Sequence, residues 1–332
     1  MAEVAKDGTE LLFDGPRRDV LARFEDLALA GALGFASRAP WPLVDGLLRG
    51  VARAAHLVDR RRNRAARAFL DAAFGASLDA RRREEMVLDA YRHLFRVVAE
   101  TERFARVVPR ERILDHVRLE LGERFGAMCE EPSSVVFVTP HVGNWEVGSL
   151  IVERLGFRPF AVVAKPTKNH FVSQRMLRSR RARGIEVLPR RGAMTDAPAR
   201  VRAGGSLGLL LDQRARVKPV LAPLFGRPAR CDRSAGVLIR RLGVPLVLAC
   251  CYRGRDPLTF DFCVDEVVEP GELASMGPGD VAARLNRSFE RMILARPEQY
   301  FWLHDRYRDT PQEFDAAEPA GAEETSTPAD RS

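Results

Sequence analysis

Six residues, Ser134-Val-Val-Phe-Val-Thr139, form a short apolar run that is mostly β-branched and shows no polar alternation. Such a run reads as a strand buried on both faces, which demands further layers of structure above and below it. The chain before it has another texture. Residues 59–74 and 77–102 carry apolar side chains recurring at three and four with charges between them and no proline, the pattern of amphipathic helices. Beyond Pro132 more strand-like runs follow at 158–164, 185–188, 206–211 and 245–252. Helical segments lie between several of them, among them 145–155, closed by Gly156, and a last candidate helix covers 280–295. Strands alternating with helices imply an α/β fold with some parallel pairing, here a mixed sheet flanked by helices and preceded by a helical N-terminal part.

The organisation expected from this is a lead at 1–20, a helical part at 21–130, and an α/β core at 131–312 that forms one continuous domain with it. Residues 313–332 hold six acids, one base and almost no large apolar side chain, which predicts a disordered acidic tail. Five cysteines without a C-x-x-C pair give neither a disulfide framework nor a zinc ribbon. The longest run free of formal charge is fourteen residues, Pro132 to Trp145, short of the roughly 20 that a membrane-spanning helix needs. Residues 27–54, rich in Leu, Ala, Gly, Phe and Trp, suit either core-facing helices or a face lying on a membrane surface.

The formal net charge of +8 is unevenly spread. Residues 165–230 hold sixteen Lys or Arg against three acids. A segment of that sign fits an anionic partner. Nucleic acid is a poor fit, because Phe171 and Phe225 are the only aromatics there and no DNA-binding motif overlaps it.

Directly after the 134–139 run comes His141-Val-Gly-Asn-Trp-Glu146. On a continuous helix His141 and Glu146 would lie about 140° apart. They can cooperate only if Gly143 and Asn144 make a turn, with Asn144 capping the following helix and Glu146 in its first turn. A His steadied by a carboxylate at the carboxyl end of a buried strand suits general-base catalysis. Asp212-Gln213, at the end of another strand-like run, reads as a buried polar cap or as part of the site wall. Gly204-Gly-Ser206-Leu-Gly208 matches a hydrolase nucleophile elbow, but it leads into a strand rather than opening a helix, which argues against an esterase built on Ser206. No grouping of His, Cys or carboxylates has metal-ligand spacing, so no metal is expected.

The hexapeptide His141 to Glu146 resembles the H-x4-D/E motif of the lipid A biosynthesis acyltransferase family, which contains the late lauroyl and myristoyl acyltransferases and relatives that acylate mycobacterial mannosides. Further blocks match in order: Lys165-Pro166 with Asn169, Arg180 to Gly184, the strand ending at Asp212-Gln213, Leu224-Phe-Gly226, and Pro297-Glu-Gln-Tyr-Phe-Trp-Leu-His-Asp-Arg306. Many relatives start with a hydrophobic anchor helix that is not seen here, His170 stands where Pro is commoner, and Asp305 stands where Arg or Lys is frequent. The resemblance implies a glycerolipid-acyltransferase-like fold and transfer of a fatty acyl chain from acyl carrier protein or coenzyme A to a hydroxyl of an anionic glycolipid. It also implies action at the cytoplasmic face of the inner membrane, with no cofactor and no covalent acyl-enzyme, while the lack of an apolar run of about 20 residues makes the expected attachment peripheral rather than spanning. His141 would be the base and Glu146 its partner. An amide near Gly143 and the Arg180 guanidinium would hold the oxyanion, while Asn144, Lys165, Asn169, Arg175, Arg183, Asp212, Gln213 and Arg306 would complete the substrate site.

Overall fold

The computed structural model describes residues 17–314 apart from Pro166. The first sixteen residues and the acidic segment from 315 onward, which carries nearly all of the expected tail, lie outside the described residues.

Four helices come first: α1 (Val20–Arg38), α2 (Trp41–Val58), α3 (Arg60–Phe74) and α4 (Ala80–Val107). Their starts are written in the sequence. Asp19, Asp59 and Asp79 each accept a hydrogen bond from a first-turn amide, at 2.7, 3.0 and 2.8 Å. Next are β1 (Val117–Glu120), α5 (Gly122–Glu130), β2 (Val136–Thr139), α6 (Trp145–Arg154), β3 (Phe160–Ala164), α7 (His170–Ala182), β4 (Ile185–Pro189), α8 (Ala193–Arg202) and β5 (Ser206–Leu210). A hairpin of β6 (Val220–Leu224) and β7 (Arg227–Cys231) stands apart from the main sheet, and α9 (Arg233–Leu242), β8 (Leu246–Arg253), β9 (Phe260–Val268), α10 (Pro270–Leu273) and α11 (Pro278–Ala295) complete the order.

The main sheet has seven strands in the order β1-β9-β8-β2-β5-β3-β4; every pair is parallel except β8 with β9. This is the mixed α/β sheet that the texture of the sequence implies. Both faces are covered. Val136 and Val138 enter a core that includes Phe69, Leu246, Leu248, Phe289 and Trp302, whereas Val135 and Phe137 enter a second core with Phe104, Phe125, Val147, Ile151 and Phe160. That two-sided burial is why the 134–139 run has no polar alternation.

Several strands escape a reading by apolar runs. β9 contains Asp261, Asp265 and Glu266, charges that argue against a buried strand until their partners are seen: Arg118 and Arg296 on Asp261, Arg291 on Asp265, and Arg284 on Glu266. β1 is largely exposed, and the β6–β7 hairpin contains Pro223 and Pro228 on paired positions.

Candidate active site

β2 sits in the middle of the sheet, hydrogen-bonded to β8 on one side and β5 on the other. Its parallel register with β5 pairs Val136 with Leu207 and Thr139 with Leu210. Two residues past each strand end stand His141 and Asp212, separated by the same 71 positions as the paired strand residues. The pairing of two neighbouring strands therefore carries these side chains to one level at the carboxyl edge, the usual place for ligands in such sheets.

The contact between them is close. Asp212 Oδ1 lies 2.6 Å from His141 Nδ1, and Asp212 Oδ2 accepts the His141 backbone N–H at 2.9 Å and the Tyr300 hydroxyl at 3.1 Å. Asp212 is only 2% exposed. Burial alone would raise its carboxyl, but the charge and hydrogen bonds of His141 more than offset this and hold it at about 2. An ionised carboxylate only accepts, so Nδ1 carries the proton in the neutral ring and Nε2 keeps its lone pair. Gln213 Nε2 lies 3.4 Å from that Nε2 atom, and the rings of Trp145 and Phe301 flank the imidazole at 4.9 and 6.1 Å.

The turn between β2 and α6 fixes this position. Gly143 has φ +61°, and a Cβ there would come 2.0 Å from the Cys251 carbonyl oxygen. Only glycine fits. Gly143 N–H donates to Gln299 O at 2.8 Å and Asn144 N–H to Cys251 O at 2.6 Å, which ties the turn to β8 and to the segment after α11. Asn144 is buried; its Oδ1 caps α6 at the Val147 amide, 3.1 Å away, and accepts from Thr101 Oγ1 of α4 at 3.1 Å. Helix α4 thus braces this turn.

Glu146 is in the first turn of α6, as the spacing requires, but the carboxylate bonded to the imidazole is Asp212. Glu146 is held by Arg180, whose Nε and Nη2 reach its two oxygens at 3.1 and 2.5 Å. Burial pushes the Glu146 carboxyl up, and Arg180, then Arg183 and His141, bring it below the ordinary glutamate range. Glu146 lies five residues from His141 along the chain, but the sheet brings Asp212, 71 residues away, onto the ring.

Residues 15–309 match the family described as bacterial lipid A biosynthesis acyltransferase. The chain belongs to that family. Among curated relatives, phosphatidylinositol mannoside acyltransferases from two strains of Mycobacterium tuberculosis, H37Rv and CDC 1551, are each 28% identical, over 203 and 205 residues. In both cases 58% of this chain is aligned with 58% of the relative, so the match spans little more than half of either protein.

The other residues singled out by resemblance to this family take varied places. The Gly143 amide is already spent on Gln299, so it is not an oxyanion donor; the amides of Trp145 and Glu146, first in α6, have no acceptor within the helix. Arg180 keeps its Nη1 group beyond the two atoms given to Glu146. Arg183 pairs with Glu102 at 2.9 Å, and Arg175 holds Asp26 of α1 through two bonds of 2.7 and 2.8 Å. Asn169 caps α7 and donates to Ala22 O and Glu25 Oε2, both at 2.8 Å, so it docks α1. Lys165 is exposed past the end of β3 and forms no ion pair among the described residues. Arg306 is 1% exposed and donates to the Arg230 carbonyl at 2.9 Å and to Cys231 Sγ at 3.1 Å; it braces β7 and does not present its charge to a substrate. Ser206 is also buried, its hydroxyl accepting from the Val135 amide at 3.2 Å, so it cannot serve as a nucleophile there.

Tyr300 and His304 were not singled out individually, although both lie in the matching terminal block. Tyr300 bonds Asp212, and burial together with that carboxylate raises its hydroxyl well above the ordinary range. His304 accepts the Arg214 amide at 2.8 Å, and burial lowers its ring to about 4.

Proposed function

We propose that this protein transfers a fatty acyl chain from a thioester, carried on acyl carrier protein or coenzyme A, to a hydroxyl of a glycolipid. The observation that supports this best is the hydrogen bond between Asp212 and His141 Nδ1, which leaves Nε2 as a base at the edge of the sheet. Nε2 takes the proton of the acceptor hydroxyl as its oxygen attacks the thioester carbonyl. Asp212 stabilises the imidazolium so formed; as the tetrahedral intermediate collapses, the imidazolium gives its proton to the departing sulfur, so that the thiol leaves and neutral His141 is restored. The developing oxyanion needs fixed donors. Arg180 Nη1 and the free amides at the start of α6 are the candidates, with Glu146 setting the Arg180 guanidinium in place.

The acceptor favoured by family membership is a lipid A precursor. The names of the two mycobacterial relatives support a second class, a phosphatidylinositol mannoside. Mass spectrometry of membrane lipids from cells with and without the gene separates the two. A lipid A or a mannoside species lighter by one acyl chain in the deletion identifies the acceptor, and an unchanged lipid profile contradicts acyl transfer to either.

We further propose that α1 and α2 rest on the cytoplasmic face of the inner membrane. No helix among the described residues is long and apolar enough to cross a membrane. On α2, however, Leu43, Leu47, Val51 and Val58 are exposed along one stripe, and on α1 Leu21, Phe24, Leu27 and Phe35 are exposed as well. Arg23, Arg49 and Arg53 lie exposed on the same helices. Apolar side chains with arginines beside them suit an anionic bilayer surface.

A further inference from the structure

A cleft of about 480 Å³ opens between α1, α4 and α7. None of His141, Glu146 and Asp212 lines it, yet it adjoins their site. Thr101 bonds Asn144 of the catalytic turn, and its neighbour Glu102 lines the cleft. On α7 Ser179 lines the cleft, and its neighbour Arg180 holds Glu146. The volume is that of a small-ligand pocket.

The walls are of two kinds. Ala30, Leu33 and Gly34 of α1 give an apolar side with little side-chain bulk. Opposite are arginines, of which Arg175 is neutralised by Asp26. Glu102, the acid on the wall, is occupied by Arg183 and Ser179. Arg106 and Arg178 have no carboxylate within ion-pair distance among the described residues, and Arg38 bonds only Gly34 O and Ser37 Oγ of its own helix. Three guanidinium groups thus face one cleft without an ion pair among the described residues, although Asp26, bonded to Arg175, also feels the charge of Arg178. Guanidinium forks match phosphate oxygens bidentately.

We infer that this cleft binds a phosphate ester of the amphiphilic substrate, with Arg38, Arg106 and Arg178 on the phosphate and the Ala30–Gly34 wall against its alkyl part. The inference rests on the acyl-transfer reading for its placement, since Glu102 on the cleft wall pairs with Arg183, whose charge also acts on Glu146. Two sources have this chemistry: the phosphate head of an acceptor lipid and the phosphopantetheine arm of the donor.

The test is calorimetric binding of dihexanoyl phosphatidate, uncharged dihexanoylglycerol and coenzyme A to the full chain. The variants are Arg106→Gln/Arg178→Gln and Gly34→Leu. The first removes exposed charges that hold no ion pair. The second adds bulk at a helical position where a Cβ meets nothing closer than Arg38 Nη1 at 3.5 Å, so it fills the cleft and favours the helix. Phosphatidate or coenzyme A should bind the wild type more tightly than dihexanoylglycerol, and both variants should weaken that binding by about tenfold or more with a melting temperature no lower than that of the wild type. Weakening confined to phosphatidate assigns the cleft to the acceptor head, and weakening confined to coenzyme A assigns it to the donor. Equal binding of charged and uncharged probes, or wild-type affinity in both variants, overturns the site. His141→Ala should bind like the wild type; if the wild type binds phosphate but transfers no acyl group, the site stands and the acyl-transfer reading fails.

Discussion

Asp212 accepts two hydrogen bonds from His141, one from the ring at 2.6 Å and one from the backbone amide at 2.9 Å. The second bond fixes where the His141 backbone sits relative to the carboxylate, and the first fixes the rotation and tautomer of the ring. Because both residues continue the β2–β5 register, the sheet itself sets the geometry of the pair.

The pair should be visible in acid. The Asp212 carboxyl, at about 2, lies below its ordinary value of 3.8. A depressed folded-state value contributes stability that is present above the unfolded value and lost as pH falls through about 2. Roughly 2 kcal/mol should disappear between pH 5 and pH 2 on this account. Urea unfolding of wild type and Asp212→Asn over that range checks it: the wild type should lose the larger amount, and parallel curves would speak against a depressed Asp212.

Arg180 and Glu146 form a half-buried bidentate pair. Glu146→Gln leaves the guanidinium without its counter-charge and should cost about 2–4 kcal/mol. In a double-mutant cycle with Arg180→Met, the doubly substituted protein should lose less than the sum of the single losses, by about 1 kcal/mol or more. Strict additivity in denaturant titrations would mean that the two side chains do not act as a pair in solution.

Gly143→Ala should collapse the catalytic turn. A methyl group cannot occupy the space 2.0 Å from the Cys251 carbonyl, and φ +61° disfavours alanine as well. A loss of about 3 kcal/mol or more is expected, together with loss of acyl transfer. Gly31→Ala, where nothing lies within 4 Å, is the control and should be neutral or stabilising by up to about 1 kcal/mol. A Gly143→Ala protein with the wild-type urea midpoint would contradict the turn as described.

Leu43→Glu/Leu47→Glu should reduce co-sedimentation with anionic vesicles several-fold while leaving the melting temperature within a degree or two, since both side chains are more than half exposed. Undiminished vesicle binding would remove α2 from the membrane contact.

Local signals were readable from the chain alone. The Asn144 cap, the glycine turn and the buried run before it each depend on neighbours within a few positions, and the structure bears them out. The partner of His141 was not readable, because Asp212 reaches it through the register of two strands distant in sequence. Arg306 shows the opposite difficulty: a motif names the residue, but only packing reveals that its charge is spent on Arg230 O and Cys231 Sγ. β9 was hidden for a related reason, since its acids look unsuited to a buried strand until Arg118, Arg284, Arg291 and Arg296 arrive from elsewhere.

The most direct test is a single-turnover assay of thioester-dependent acylation with wild type, His141→Ala and Asp212→Asn, each checked for folding. His141→Ala should abolish transfer, and Asp212→Asn, which keeps the shape but lets the wrong ring nitrogen carry the proton, should slow it on the order of 10³-fold. Full transfer by well-folded His141→Ala, or an Asp212→Asn rate equal to that of the wild type, would contradict a His141 base held by Asp212.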